Sequence, residues 1–110
     1  TYPDMAGFFG VSAYGGPAAA TVIKEQRKVG DVLVCGFDDL EETLDAIRDG
    51  SMQFTLVQKT FNMGWISVEV LKKAMDGEAV SEDYDTGVII VDKDNVDSYM
   101  EDMKNELMSN

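Results

Sequence analysis

The sequence has 110 residues, of which 45% are hydrophobic and 27% are charged, a composition that indicates one folded domain and excludes a disordered chain. Its 21 acidic and 9 basic residues give a net charge of −12. That charge argues against binding to nucleic acids or anionic membrane surfaces, because both repel an acidic protein. There is no run of about 18 apolar residues, so no transmembrane helix is predicted.

Apolar periodicity predicts alternating strands and helices. In chain order, the predicted elements are a strand at 6–12, a helix at 18–28, a strand at 32–35, a helix at 40–49, a strand at 54–57, a helix at 62–76, a strand at 86–91 and a final helix capped by Asn95. This alternation is typical of an α/β protein with a parallel sheet flanked by helices. The continuous apolar run at 32–35 predicts a strand that is covered on both faces.

The predicted helix at 62–76 is the most apolar of the four. One line of side chains consists of Met63, Ile66, Val70 and Ala74, and a second line consists of Trp65, Val68, Leu71 and Met75. So wide an apolar stripe indicates that this helix has contacts on more than one side.

Ligands of open α/β sheets bind beyond the carboxyl ends of the strands, and there the sequence places two adjacent acids, Asp38 and Asp39. Asp39 with Glu42 forms a reasonable capping box for the helix at 40–49, with Asp in place of Ser or Thr. Asp38 is then left at the strand tip, where its carboxylate suits vicinal sugar hydroxyls. Alternatively, Asp38 caps the helix or faces water. Gln58, at the next strand end, is a second candidate ligand residue, or a turn residue bonded to the backbone.

The residues give little support for catalysis, and we expect no cofactor, no metal site and no enzyme activity. The chain contains no histidine, the commonest general base and metal ligand. Cys35 lies inside a strand, where a thiol most often packs as a small hydrophobe. The pair Asp38–Asp39 could bind Mg²⁺ or accept a phosphoryl group, but we find no matching lysine at the end of a later strand.

Three segments together resemble the C-terminal part of sugar-binding proteins of bacterial ABC transporters, of the ribose/galactose type. They read YPDMAGFFG, VLVCGFDDLEETLDAIRDGSMQFTLVQKTFNMGWISVEVLKKAMDGE and YDTGVIIVDKDNVDSYM, and they cover nearly the whole chain. The resemblance implies a non-catalytic protein with a type I periplasmic-binding-protein fold, in which two Rossmann-like lobes joined by a three-strand hinge close on a sugar.

The resemblance also implies which residues contact the sugar. The aspartate of the family's Gly-Phe-Asp hydrogen-bonds sugar hydroxyls and matches Asp38, and the glutamine after the next strand matches Gln58. Many members carry Asn-Asp where this chain has Ala13-Tyr14, so the asparagine amide is missing at Ala13. Tyr14 offers a ring or a hydroxyl instead. This departure leaves the sugar open, and the segment AYGGPAAA looks more like relatives that bind furanosyl sugars, unusual pentoses or deoxyhexoses.

The resemblance divides the chain into three parts. Residues 1–58 carry strands and helices of the C-terminal lobe, residues 59–84 carry the hinge crossing and a helix of the other lobe, and residues 85–110 carry the return strand and the C-terminal helix. The chain, which starts at Thr1, is then expected to be incomplete. Alone, it should dimerise or swap its 62–76 helix, because the apolar faces of that helix would otherwise be exposed.

The resemblance further implies the partners and location of the full-length protein. These are a small sugar, the membrane permease of an ABC importer, and an extracytoplasmic site in the periplasm or on a lipid anchor, with no nucleic acid. The main alternative is the effector lobe of a sugar-responsive transcriptional repressor. Such repressors commonly carry a proline after the third strand and lack a terminal acidic helix, whereas this chain reads QKTFNMG and has the helix.

Overall fold

The computed structural model describes residues 2–108, and the side chains of residues 2–105. The elements are β1 (Gly7–Phe9), α1 (Gly15–Glu25), β2 (Leu33–Phe37), α2 (Glu41–Arg48), β3 (Phe54–Gln58), α3 (Thr60–Met75), β4 (Val88–Asp92) and α4 (Tyr99–Met108). The four strands form one sheet in the order β1-β2-β3-β4, and the pairs β1–β2 and β2–β3 are parallel. The predicted α/β class is confirmed.

Helix α1 begins three residues earlier than predicted, and it also ends three residues earlier because an arginine closes it. Arg27 has a φ of 56°, a left-handed conformation. Its N–H donates to the carbonyl of Lys24 at 3.0 Å, and the N–H of Lys28 donates to the carbonyl of Ile23 at 3.0 Å. These two hydrogen bonds form the motif that commonly ends a helix and satisfies its last carbonyls. Glycine usually occupies the left-handed position of that motif. The predicted stop at Gly30 therefore comes too late.

The final helix starts at Tyr99, and the prediction that Asn95 caps it is wrong. The Asn95 side chain instead accepts a hydrogen bond from the N–H of Asp92 at 2.9 Å and donates to the carbonyl of Ile90 at 2.9 Å. It therefore stabilises the turn that follows β4. A short polar side chain that bonds the nearby backbone competes with helix formation, which explains the later start.

Helices cover one face of the sheet. Crossovers between neighbouring parallel strands are right-handed as a rule, which would place α1 and α2 on the same side, and these two helices do contact each other. In β2, Val34 is fully buried on that side, whereas Leu33 is 52% exposed on the other. The expectation that this strand is covered on both faces is therefore wrong. The open face also carries Phe9 and Ile90, which are 45% and 55% exposed.

The chain divides into two compact units, residues 1–57 with 90–110, and residues 58–89. The core of the first unit contains Val34, Leu44, Ile47, Met52 and Val91. In the second unit, α3 has no buried residue. The segment expected to belong to another lobe, 59–84, lies inside the second unit, and its assignment to that lobe stays a prediction.

Within residues 2–108, none of the helices combines the length and apolarity needed to cross a bilayer.

Candidate functional site

Close glycine contacts bring the loops after β1 and β2 to one edge of the sheet. The N–H of Gly10 donates to the carbonyl of Cys35 at 2.9 Å. A Cβ atom placed on Gly16 would lie 3.0 Å from the Cα of Gly36 and 2.7 Å from the Cε of Met52. Only a residue without a side chain lets α1 start this close to β2. The loop at 11–14 and the acids after β2 therefore share the carboxyl edge of the first unit.

Asp38 has a left-handed backbone, with a φ of 62°. Its N–H donates to the carbonyl of Leu56 at 2.8 Å, and its own carbonyl accepts a hydrogen bond from Oγ1 of Thr55 at 2.8 Å. Aspartate adopts this conformation more readily than most residues, yet it remains unfavourable and is concentrated at functional sites. The predicted ligand residue is therefore held in a fixed, strained conformation by the neighbouring strand β3, and its side chain is half-buried.

Asp39 does not cap the helix that follows it, so the predicted capping box is wrong. Helix α2 has Leu40 at its N-cap, with no side-chain hydrogen bond there. Oδ2 of Asp39 instead accepts a hydrogen bond of 2.8 Å from the hydroxyl of Tyr99 in α4. Tyr99 is only 3% exposed, so the bond satisfies its buried hydroxyl. The second acid joins the C-terminal helix to the edge of the sheet.

The hydroxyl of Tyr99 is a permanent donor. Burial raises its pKa, and the hydrogen bond to Asp39 and the negative charges of Asp39 and Asp38 raise it further. Oδ2 of Asp39 is therefore engaged by Tyr99 rather than by the first turn of α2. Among the described residues, no cluster of three or more His, Cys, Asp or Glu side chains is arranged to hold a metal ion.

The other predicted site residues lie in the loop between β1 and α1 and at the end of β3. Ala13 is half-buried in the turn before α1, and Tyr14 follows it at the helix N-cap with 76% of its surface exposed. Gln58 is half-buried and ends β3, where the second unit begins. Ala13, Tyr14 and Asp38 thus share one edge of the first unit, and Gln58 belongs to the second.

Cys35 of β2 is half-buried. Burial raises the pKa of its thiol, and a backbone hydrogen bond from Phe54 opposes that shift without cancelling it. A thiol with a raised pKa is a poor nucleophile at neutral pH. The role of Cys35 as a small hydrophobe stays a prediction.

Sequence reasoning missed two residues of the site, Thr55 and Tyr99. Thr55 is buried in β3, and a threonine in a strand is ordinary enough to carry no signal. Tyr99 lies 60 residues beyond Asp39, so only the folded chain shows that they meet. A left-handed conformation at Asp38 could have been suspected, since aspartate is enriched there.

Comparison with known proteins identifies the family of this chain. A model of the periplasmic binding protein domain matches residues 1–79. The ribose import binding protein of Salmonella typhimurium is 29% identical over 92 residues, which cover 84% of this chain and 31% of that protein. A solute-binding protein of an ABC transporter from Burkholderia graminis, solved in complex with D-arabinose, is 41% identical with a TM-score of 0.74, over 89% of this chain and 35% of that one.

A glucose-galactose binding protein from Geobacillus stearothermophilus is 26% identical with a TM-score of 0.79, over 86% of this chain and 34% of that one. The chain thus spans about a third of the length of these relatives. The fold agreement confirms the predicted type I periplasmic-binding-protein lobe. Because the family model matches well over half of its residues, the chain belongs to the periplasmic binding protein domain family.

Proposed function

We propose that this chain is part of an extracytoplasmic solute-binding protein that captures a sugar for an ABC importer. The observation that carries the proposal is Asp38, an acid fixed in a left-handed conformation beyond the carboxyl end of β2. Ligands of open α/β sheets bind at that position. The relatives support a sugar, since one of them was solved with D-arabinose and others are named for ribose, glucose and galactose.

The site residues suit a polyhydroxylated ligand. The Asp38 carboxylate accepts hydrogen bonds from two vicinal hydroxyls, and such charge-assisted bonds are stronger than neutral ones. The exposed ring of Tyr14 can lie against the apolar face of a sugar, while Ala13 leaves space where a longer side chain would stand. Gln58 supplies both a donor and an acceptor. All of these groups bind and orient, and none is placed to break a bond.

The full-length protein is proposed to close a second lobe over the sugar and to deliver it to a membrane permease. Residues 59–84 would carry the hinge crossing and a helix of that lobe. Because closure buries the sugar on both sides, this chain alone should bind more weakly than the full-length protein. The location would be the periplasm or the cell surface, with a lipid anchor as the means of attachment in the second case.

We further propose that the isolated chain self-associates through α3, by dimerising or by swapping the helix. One apolar line of α3 faces a groove of about 470 Å³ within the second unit, which Leu71, Tyr84 and Thr86 also line. The other line is exposed: Trp65 at 60%, Val68 at 69%, Leu71 at 61% and Met75 at 78%. Apolar surface of this kind usually marks a protein interface.

The repressor alternative has less support. The chain has an acidic C-terminal helix, α4, and Lys59 rather than proline follows β3. The relatives from Salmonella typhimurium and Burkholderia graminis are described as transport proteins. Nothing in the described residues favours an effector lobe over a transport receptor.

The proposal is tested by titrating pentoses, hexoses and deoxyhexoses into the chain by isothermal calorimetry. We expect one sugar to bind, and Asp38→Ala to weaken its affinity by a factor of about 100, since truncation removes a charged acceptor of two hydrogen bonds. Asp31→Ala is the matched control, because Asp31 is an exposed acid just before the same strand. Equal affinities of the Asp38→Ala and Asp31→Ala proteins would refute the proposed role of Asp38.

A further inference from the structure

Both backbone polar groups of Asp38 are held by two successive residues of β3. The carbonyl of Leu56 accepts the Asp38 N–H, and Oγ1 of Thr55 donates to the Asp38 carbonyl, each at 2.8 Å. The Leu56 bond uses a main-chain carbonyl that any residue would supply. The Thr55 bond needs a side-chain hydroxyl, so only this second bond depends on the residue type.

Thr55 is placed so that water does not replace it. Its side chain is fully buried, in register with Gly36 of β2 and on the face that the helices cover. The β-branched side chain has few rotamers, which fixes the direction of its hydroxyl. A buried hydroxyl needs a hydrogen-bond partner. The partner of the Thr55 hydroxyl is the main-chain carbonyl of Asp38, the residue with the left-handed φ.

We propose that Thr55 is a positioning residue for sugar binding, which acts through the backbone of Asp38 and does not touch the ligand. This inference rests on the proposed function of Asp38. The left-handed conformation is unfavourable for a residue with a Cβ atom, so it persists only where its surroundings hold it. Without the Thr55 bond, the peptide after Asp38 is free to rotate, and the carboxylate loses the orientation that two hydroxyls require.

The test replaces Thr55 by its isostere. Thr55→Val keeps the shape and removes the hydroxyl, and we expect about tenfold weaker sugar affinity by calorimetry, the effect of one misdirected hydrogen bond. Thr55→Ser restores the donor and should restore the affinity. If Thr55→Val does not fold, the pair Thr55→Ser and Thr55→Ala gives the same comparison.

The chain offers a matched control in Thr43 of α2. Thr43 is also fully buried, but its hydroxyl has no hydrogen-bond partner among the described residues. Thr43→Val therefore makes the same chemical change without releasing Asp38, and should leave the affinity unchanged.

The φ of residue 38 provides an independent readout: its HN–Hα coupling and intraresidue NOE should change in the Thr55→Val protein and stay the same in the Thr43→Val protein.

The outcomes separate this inference from the function on which it rests. If the unsubstituted chain binds no sugar, the proposed function fails. If that chain binds, and Thr55→Val lowers thermal stability while keeping full affinity, Thr55 has only a structural role and the inference is overturned. Weak binding by Thr55→Val, with recovery by Thr55→Ser and an unchanged Thr43→Val, would establish it.

Discussion

Asp49, which follows the last turn of α2, is held ionised in the folded protein by its neighbours. Burial opposes its ionisation, but hydrogen bonds from Nζ of Lys24 at 2.8 Å and from Ser51 outweigh that cost and lower its pKa to about 2. Unfolding returns the pKa to about 4. Ionised Asp49 therefore stabilises the native state above pH 4 or so, and the contribution is lost as the pH falls through the folded-state pKa.

The corresponding prediction concerns Asp49→Asn. Because the side chain is 45% exposed, solvent screening limits the effect, and we expect the free energy of unfolding at neutral pH to fall by about 1 kcal/mol. Near pH 2 the variant and the parent should be almost equally stable. Urea denaturation at a series of pH values measures this difference. Lys24→Met should reproduce part of it, whereas a constant difference from pH 7 to pH 2 would contradict the assignment.

At the same scale, the sequence located the candidate ligand acid but misjudged its neighbour. Asp38 could be found because a strand tip before a helix is visible in the sequence. The partner of Asp39 could not be found in the sequence, because Tyr99 is distant in the chain. Capping the next helix was the simplest role to predict for an acid at that position. Local rules describe local hydrogen bonds, and here a long-range hydrogen bond took precedence.

Among the elements, α1 depends on its glycines for its position. Gly16→Ala would place a Cβ 3.0 Å from the Cα of Gly36, which is backbone and cannot easily move. We expect a loss of about 1–3 kcal/mol in the free energy of unfolding, the usual cost of overpacking a tight contact. Thermal and urea unfolding, followed by far-UV circular dichroism, measure it.

Gly64 in α3 provides the control for this prediction. No atom lies within 4 Å of a Cβ built there, so Gly64→Ala should instead stabilise its helix by about 0.5–1 kcal/mol, the difference in helix propensity. If both substitutions stabilise the protein, the close contact between α1 and β2 is not tight.

Gly16→Ala should also weaken sugar binding, because it displaces the loop that carries Ala13 and Tyr14.

The elements themselves were largely predictable, and their ends were not. All four strands and four helices occur where apolar periodicity placed them. Helix ends depend on single residues, and two of these were unexpected: Arg27 takes the left-handed position that glycine usually fills, and Asn95 bonds the turn after β4. The open face of the sheet was not predicted. An apolar run shows that a strand can be buried on both faces, but it does not show whether other elements cover both faces.

For the whole molecule, the exposed line of α3 predicts concentration-dependent association. Light scattering across a range of protein concentrations should show dimers, and Trp65→Ser with Leu71→Ser should shift the chain to monomers. The net charge of −12 opposes association at low ionic strength, so added salt should favour the dimer. A monomer at every concentration and salt level would contradict the proposed interface.

The central claim is that a sugar binds at the edge of the sheet where Asp38 lies, and amide chemical-shift mapping tests it most directly. D-arabinose, the sugar found in the 41% identical relative, would be titrated into the ¹⁵N-labelled chain. We predict saturable shifts centred on Ala13, Tyr14 and Asp38, and their loss in the Asp38→Ala protein. If neither D-arabinose nor any other monosaccharide gives saturable shifts at these amides, the claim is contradicted.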